Sequence, residues 1–309
     1  MLFLIIFIIL IIITVVLFIV GYKMFNISCR VSDKEIFKLY EKNGMGFDDR
    51  CVHVNIDWLN EQDIKDVYIK SSDGLKLHGV YLAAPNAYRT VICVHGYRGS
   101  YATDFSAIFR YLYNNHSNVL LIEQRGHGES QGDFITFGAM ESDDVSKWLD
   151  FTSTKLDDKH PIYLYGVSMG ATSVLLSLSH HKPYMLKGVI ADCGYSSMKT
   201  ECKYLCNNWF HIPAFPLVNI VNFYCNLIAR FHMKDTSTKK ALTNNEIPIL
   251  FIHGESDTFV EPENSRTNYA RTKGPKELVW IKGANHAQSI FKNPELYHAK
   301  LEYFFNTYK

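Results

Sequence analysis

The chain carries almost no net charge: 32 Lys and Arg stand against 31 Asp and Glu over 309 residues. Without a basic surplus there is no electrostatic footprint for a phosphate backbone, which argues against nucleic acid as a partner. Low-complexity tracts and internal repeats are also missing, and 47% hydrophobic with 20% charged residues is the composition of a folded chain. Cysteine is sparse and odd in number: Cys29, Cys51, Cys93, Cys193, Cys202, Cys206 and Cys225. Scattered thiols of this kind read as reduced cysteines, not as a disulfide framework. Cys202 and Cys206 are spaced for neighbouring helical turns and not for a zinc knuckle, so they read as packing residues. His180 and His181 end a helix and read as a surface pair, not as metal ligands.

The beginning of the chain lacks charge altogether. Met1 to Val20 is apolar apart from Thr14, and no charged side chain precedes Lys23. About 20 apolar residues rising 1.5 Å each match the hydrocarbon core of a bilayer. A basic leading region, a short apolar centre and a small-residue cleavage site are all missing, so the segment reads as an uncleaved membrane anchor over residues 1–21. Lys23, Arg30, Lys34 and Lys38 follow it closely and nothing basic precedes it. The positive-inside rule then favours the cytoplasmic side for the rest of the chain, against the tendency of such anchors to leave the main domain outside.

Residues 22–60 are polar and mixed, with a weak helical pattern around Ser32–Lys42, and read as a spacer. From there strands and helices alternate. The expected strands are Asp66–Lys70, Leu75–Leu82, Thr90–His95, Asn118–Glu123, Ile162–Tyr165, Gly188–Ala191, Ile249–His253 and Glu277–Ile281. Those from Thr90 onward are short apolar runs suited to burial on both faces of a parallel sheet. Helices fit at about Tyr101–Asn114, Met140–Phe151, Ser168–His180 and Asn293–Tyr308. The pattern implies an α/β fold with a doubly wound, mostly parallel eight-stranded sheet over 61–309. More than fifty residues between Cys193 and Ile247 contain no clear strand but hold Tyr204, Trp209, Phe210, Phe215, Phe223, Tyr224 and Phe231. A structureless loop of that length is improbable in a compact domain, so residues 194–246 read as a helical cap, with extra core helices as the alternative.

One serine stands out. In YLYGVSMGA, Ser168 sits between Gly166 and Gly170 where the fifth strand meets a helix. That strand–turn–helix setting gives a Gly-x-Ser-x-Gly pattern its meaning, because the sharp turn lifts the hydroxyl out and the helix N-terminus favours a developing anion. A serine hydroxyl needs a base and the base needs an orienting acid. Asp257 follows the seventh strand and His286 the eighth, in the order Ser, Asp, His. Glu255 and Glu261 compete for the role of the acid; His95, His127 and His253 compete for that of the base. His253 ends a strand and reads as structural, while His127 in a glycine-flanked turn reads as shaping the site. The oxyanion of an acyl transfer needs two donors, expected from the backbone N–H of Met169 and, in the VHGYRGS loop, of Tyr97.

From about Asp63 to Lys309 the chain resembles an α/β-hydrolase, and is similar in particular to bacterial membrane-anchored hydrolases grouped with serine aminopeptidases and monoglyceride lipases. The stretches carrying the likeness are VHGYRGS, EQRGHGESQGDFITFG, LYGVSMGA, ADCGYSS, IPILFIHGESDTFV and KGANHAQS. The resemblance implies a triad of Ser168, Asp257 and His286, oxyanion donors at Tyr97 and Met169, and no cofactor. It leaves the substrate open. The reading that follows is hydrolysis of a small-molecule carboxylic ester with an apolar acyl or aryl group. A peptidase or amidase, or a binding protein on the same fold, stands as the alternative.

Overall fold

The computed structural model describes residues 1–31, 49–157 and 159–309, with side chains described from His53 onward in the middle stretch. The helical pattern expected around Ser32–Lys42 lies outside the described residues.

The first helix, α1 (Leu2–Cys29), is followed by α2 (Asp49–Asn60), and a single sheet then organises the chain. Its strands are β1 (Ile64–Lys70), β2 (Lys76–Leu82), β3 (Arg89–Val94), β4 (Ser117–Ile122), β5 (Ile162–Val167), β6 (Leu186–Asp192), β7 (Ile249–Gly254) and β8 (Lys276–Ile281). They lie in the order β1-β2-β4-β3-β5-β6-β7-β8. The β1–β2 and β2–β4 pairs are antiparallel, and every pair from β4–β3 to β7–β8 is parallel. Helices between the strands are α3 (Tyr101–Phe105), α4 (Phe109–Asn114), α5 (Glu141–Phe151), α6 (Met169–Ser177), α7 (Met198–Asn208), α8 (Leu217–Ala229), α9 (Lys239–Thr243) and α10 (Glu263–Arg271), with α11 (Ser289–Lys292) and α12 (Pro294–Thr307) closing the chain. This is the doubly wound, mostly parallel eight-stranded sheet that the sequence implies.

Every residue of β3, β4, β5 and β7 is buried, which is why these strands read as unbroken apolar runs. One face packs Phe105, Phe109, Tyr165, Leu301 and Phe305; the other packs Trp148, Val174, Leu175, Leu242 and Phe251. The helix expected over Tyr101–Asn114 is two helices, broken by a turn in which the N–H of Ile108 bonds the carbonyl of Phe105, three residues back. Between Cys193 and Ile247 the chain forms α7, α8 and α9 and no strand.

The sharpest difference from expectation lies in residues 22–60. In its described parts this segment is packed helix and not a loose spacer. α1 is 28 residues long and apolar enough to cross a membrane, yet it does not stop at residue 21. Phe25 and Cys29 are fully buried against the domain, and Phe25 meets Phe134 and Tyr224. Gly21 allows the approach: a Cβ there would lie 2.5 Å from Cγ2 of Ile220 on α8. At the other end of the segment, Leu59 is buried and Trp58 stacks on Phe109. Polar composition concealed this because few residues in each turn make the contact.

Candidate active site

The carboxyl ends of β3, β5, β7 and β8 meet at one edge of the sheet, the usual ligand edge of an open α/β sheet. Ser168 follows β5 directly. Its backbone is left-handed, with φ +55° and ψ −117°, a conformation that a non-glycine residue adopts only when its surroundings enforce it. Two glycines make the turn feasible. A Cβ on Gly166 would lie 2.3 Å from the carbonyl oxygen of Gly170, and one on Gly170 would lie 1.9 Å from that of Val94. The strained turn lifts the Ser168 hydroxyl toward His286, whose Nε2 is 2.9 Å from Oγ.

Nδ1 of His286 lies 2.7 Å from Oδ2 of Asp257 and so donates to it, leaving Nε2 to accept from the serine. Asp257 also accepts from the backbone N–H groups of Phe259 and Val260, each at 2.9 Å. Burial would raise the Asp257 carboxyl, but the charge of His286 and hydrogen bonds from His253 and His286 hold it well below the usual carboxylate range. For His286, burial would lower the imidazole, and the opposed charge and hydrogen bond of Asp257 outweigh it, so its pKa is raised above the ordinary 6.5. Asp257, and neither Glu255 nor Glu261, is the carboxylate on His286.

The other histidines are held elsewhere. His95 sets Nδ1 on the carbonyl of Gly96 and accepts at Nε2 from the N–H of Gln124; burial lowers it to about 3, so it stays neutral. His127 accepts from the N–H of Arg98 at 3.1 Å, bracing the loop after β3. His253, read from the sequence as structural, is buried 3.1 Å from Asp257 through Nε2 and 2.6 Å from Ser265 through Nδ1. The loop of Tyr97 passes beside Ser168, since a Cβ on Gly96 would stand 3.2 Å from Cβ of Ser168. Met169 opens α6 next to Ser168, so its N–H belongs to the first turn, where helical N–H groups lack intrahelical partners.

Ser168 opens into a cavity of about 480 Å³ lined by Tyr97, Phe137, Met198, Leu205, Trp209 and Phe259, with Met24, Ile27 and Ser28 of α1 on its wall. The lining is overwhelmingly apolar, and the one acidic side chain on it is Glu201. Glu201 on α7 is 7% exposed and neither carboxyl oxygen has a hydrogen-bond partner among the described residues; burial, with the nearby charges of Asp257 and Glu261, pushes its pKa well up. Sequence reading found neither Glu201 nor the α1 residues, because nothing local to those positions marks them as facing Ser168. Phe215, expected with the aromatic cluster of this region, is 77% exposed and does not line the cavity.

Residues 85–221 match the family model described as serine aminopeptidase, S33. The uncharacterised protein YqkD of Bacillus subtilis is 26% identical over 273 residues, covering 88% of this chain and 87% of YqkD. Among solved structures, the Pyrococcus furiosus esterase Pf2001 superposes with a TM-score of 0.66 at 23% identity, over 80% of this chain and 92% of that one. Est1E of Butyrivibrio proteoclasticus, solved with ferulic acid, gives 0.61 at 21%, over 76% and 98%.

Proposed function

Starting from a chain of the α/β-hydrolase superfamily, we propose that it is a serine hydrolase of carboxylic esters with apolar acyl or aryl groups, anchored in a membrane by α1, with α7 and α8 as a cap over the site. The observation that carries this reading is the 2.9 Å contact of Ser168 Oγ with His286 Nε2 at a left-handed turn, together with the apolar cavity it opens into.

In this mechanism Ser168 Oγ attacks the acyl carbon while its proton passes to His286 Nε2. Asp257 holds the imidazole and stabilises it while charged. The oxyanion is held by the N–H groups of Tyr97 and Met169, and the dipole of α6 favours the negative charge. Collapse of the tetrahedral species breaks the ester bond, and the leaving alkoxide takes the proton from His286. A water then attacks the acyl-enzyme, giving its proton to the same nitrogen, and the carboxylic acid leaves as Ser168 regains its proton.

One observation favours a second reading. The unpartnered carboxyl of Glu201 in the pocket offers a place for a substrate amine, which suits an aminoacyl ester or amide.

The test is fluorophosphonate labelling, followed by turnover on a panel of acyl esters and aminoacyl amides. One label per chain is expected, lost in Ser168→Ala; labelling that survives this change removes Ser168 as the nucleophile. The neutral form of His286 is the base, and its pKa is raised. kcat/KM should therefore fall as pH drops through a value above 6.5. A rate flat between about pH 5 and 8 would remove the general base.

A further inference from the structure

We propose that the end of α1, Lys23–Cys29, together with Arg30 that follows it, is a working part of the active site: it positions the loop that carries Tyr97 and forms the wall against which a long acyl chain lies. This rests on the ester-hydrolase reading above and assigns to a membrane helix a role in catalysis and chain selection.

The first support is how α1 ends. The final carbonyls of a helix have no intrahelical partner and must be satisfied from outside. Here the hydrolase domain supplies the donors. Arg98 donates through Nη2 to the carbonyl of Ile27 at 2.7 Å and to that of Arg30 at 2.6 Å. Tyr97 donates its hydroxyl to the carbonyl of Ser28 at 2.7 Å, and the N–H of Ile135 reaches the carbonyl of Cys29 at 2.8 Å. A guanidinium at the negative end of a helix dipole is electrostatically favoured as well. Two consecutive residues of the expected oxyanion loop thus hold on to the end of α1, and Arg98 Nε also donates to the Tyr97 hydroxyl at 2.9 Å.

That loop needs holding. Arg98 has φ +53°, a left-handed conformation costly for any residue but glycine, and its own N–H is bonded to His127. The Tyr97 ring stacks on Phe137 at 5.1 Å between centroids. Side chain, backbone and the end of α1 together fix the direction of the Tyr97 N–H beside Ser168. Displacement of a reacting geometry by about 1 Å costs on the order of a hundredfold in rate.

The second support is the cavity. Met24, Ile27 and Ser28 line it opposite Met198, Leu205 and Ile212 of the α7 region. α1 is fixed there by Gly21 against Ile220 and by the contacts of Phe18, Tyr22 and Phe25 with Tyr224. A pocket with the end of a membrane-length apolar helix as its wall lies beside the place where that helix would leave a bilayer. The ligand class that fits is an ester whose long acyl chain is dissolved in the membrane.

The test uses the full chain in nanodiscs, with butyrate and palmitate aryl esters as substrates and fluorophosphonate labelling and melting temperature as controls. Arg98→Ala should lower kcat by about ten- to a hundredfold with little change in KM, and Arg98→Lys should recover part of the loss by restoring one carbonyl contact. Ile27→Trp fills the wall and should lower the palmitate-to-butyrate ratio of kcat/KM by about tenfold or more. Wild-type kcat in Arg98→Ala would overturn the positioning role; an unchanged ratio in Ile27→Trp would overturn the wall. If Arg98→Ala does not fold, the loss of kcat in Arg98→Lys decides the first point. A wild-type chain that neither labels nor turns over either ester would overturn the hydrolase reading itself, which separates the two failures.

Discussion

At Ser168 a single residue combines a left-handed backbone with a hydroxyl 2.9 Å from His286, and the surrounding sequence makes this legible. Gly166 and Gly170 are needed by contacts of 2.3 and 1.9 Å that no side chain could survive, and they flank the serine in a five-residue window. The carboxylate on His286 was less legible, because Glu255, Asp257 and Glu261 all lie past β7 and only the folded turn, with the N–H groups of Phe259 and Val260 on Asp257, sets Asp257 against the imidazole. Glu201 is the residue that yields a stability prediction. A buried carboxyl with no partner costs about 1–3 kcal/mol, so Glu201→Met should raise the melting temperature of the ligand-free protein. The sign with pH follows from linkage. The unfolded chain ionises near 4.5 whereas the folded chain holds the proton, so Glu201 lowers stability progressively as pH rises above that value. The gain in Glu201→Met should therefore be larger at pH 7 than at pH 4. A melting temperature that falls at both would show that the carboxyl supports the fold.

Among the elements, α7 links the pocket to the turn that carries Asp257. Tyr204 and Trp209 at its end both donate to the carbonyl of Thr258, at 3.0 and 2.8 Å, next to Asp257 in sequence. Trp209 packs on Phe259, which packs on His286, with ring centroids 5.2 and 5.0 Å apart. Trp209→Ala should therefore shift acyl-chain preference and lower kcat, whereas the exposed Phe215→Ala should leave the preference as it is. Kinetics on a series of ester chain lengths checks this, and equal losses for the two variants would remove α7 from the pocket. The strands were readable as elements because burial on both faces leaves an uninterrupted apolar run. The helices of residues 194–246 were readable as helices, but which of their aromatics turn inward was not, since an aromatic residue looks the same in sequence on either face.

On the scale of the whole molecule, α1 joins a membrane-length apolar segment to the hydrolase domain without a gap. Its first two-thirds is exposed and apolar, while Gly21, Phe25 and Cys29 are buried in the domain. The full chain should stay in the membrane fraction after extraction with alkaline carbonate. Lys23 and Arg30 follow the apolar run closely, and on the positive-inside rule we propose that the domain lies on the cytoplasmic side. Protease added to intact cells should then leave the domain whole; degradation without lysis would reverse the orientation. This continuity also alters what truncation can achieve: removal of residues 1 to about 25 would take away Met24 and Phe25 along with the apolar span.

By itself the sequence determined whatever rests on short-range periodicity and local turns: the alternation of strands and helices, the apolar span, the strand–turn–helix around Ser168 and the order of Ser, Asp and His. Tertiary structure alone decided which distant groups share the cavity. The carbonyls of Ile27 and Arg30 lie 71 and 68 residues from the Arg98 that holds them, and Ser168 is 118 residues from His286. Only His286 among these is of a residue type that announces its role. A backbone carbonyl at the end of a helix carries no side-chain signature, and its partner is set by how the helix packs.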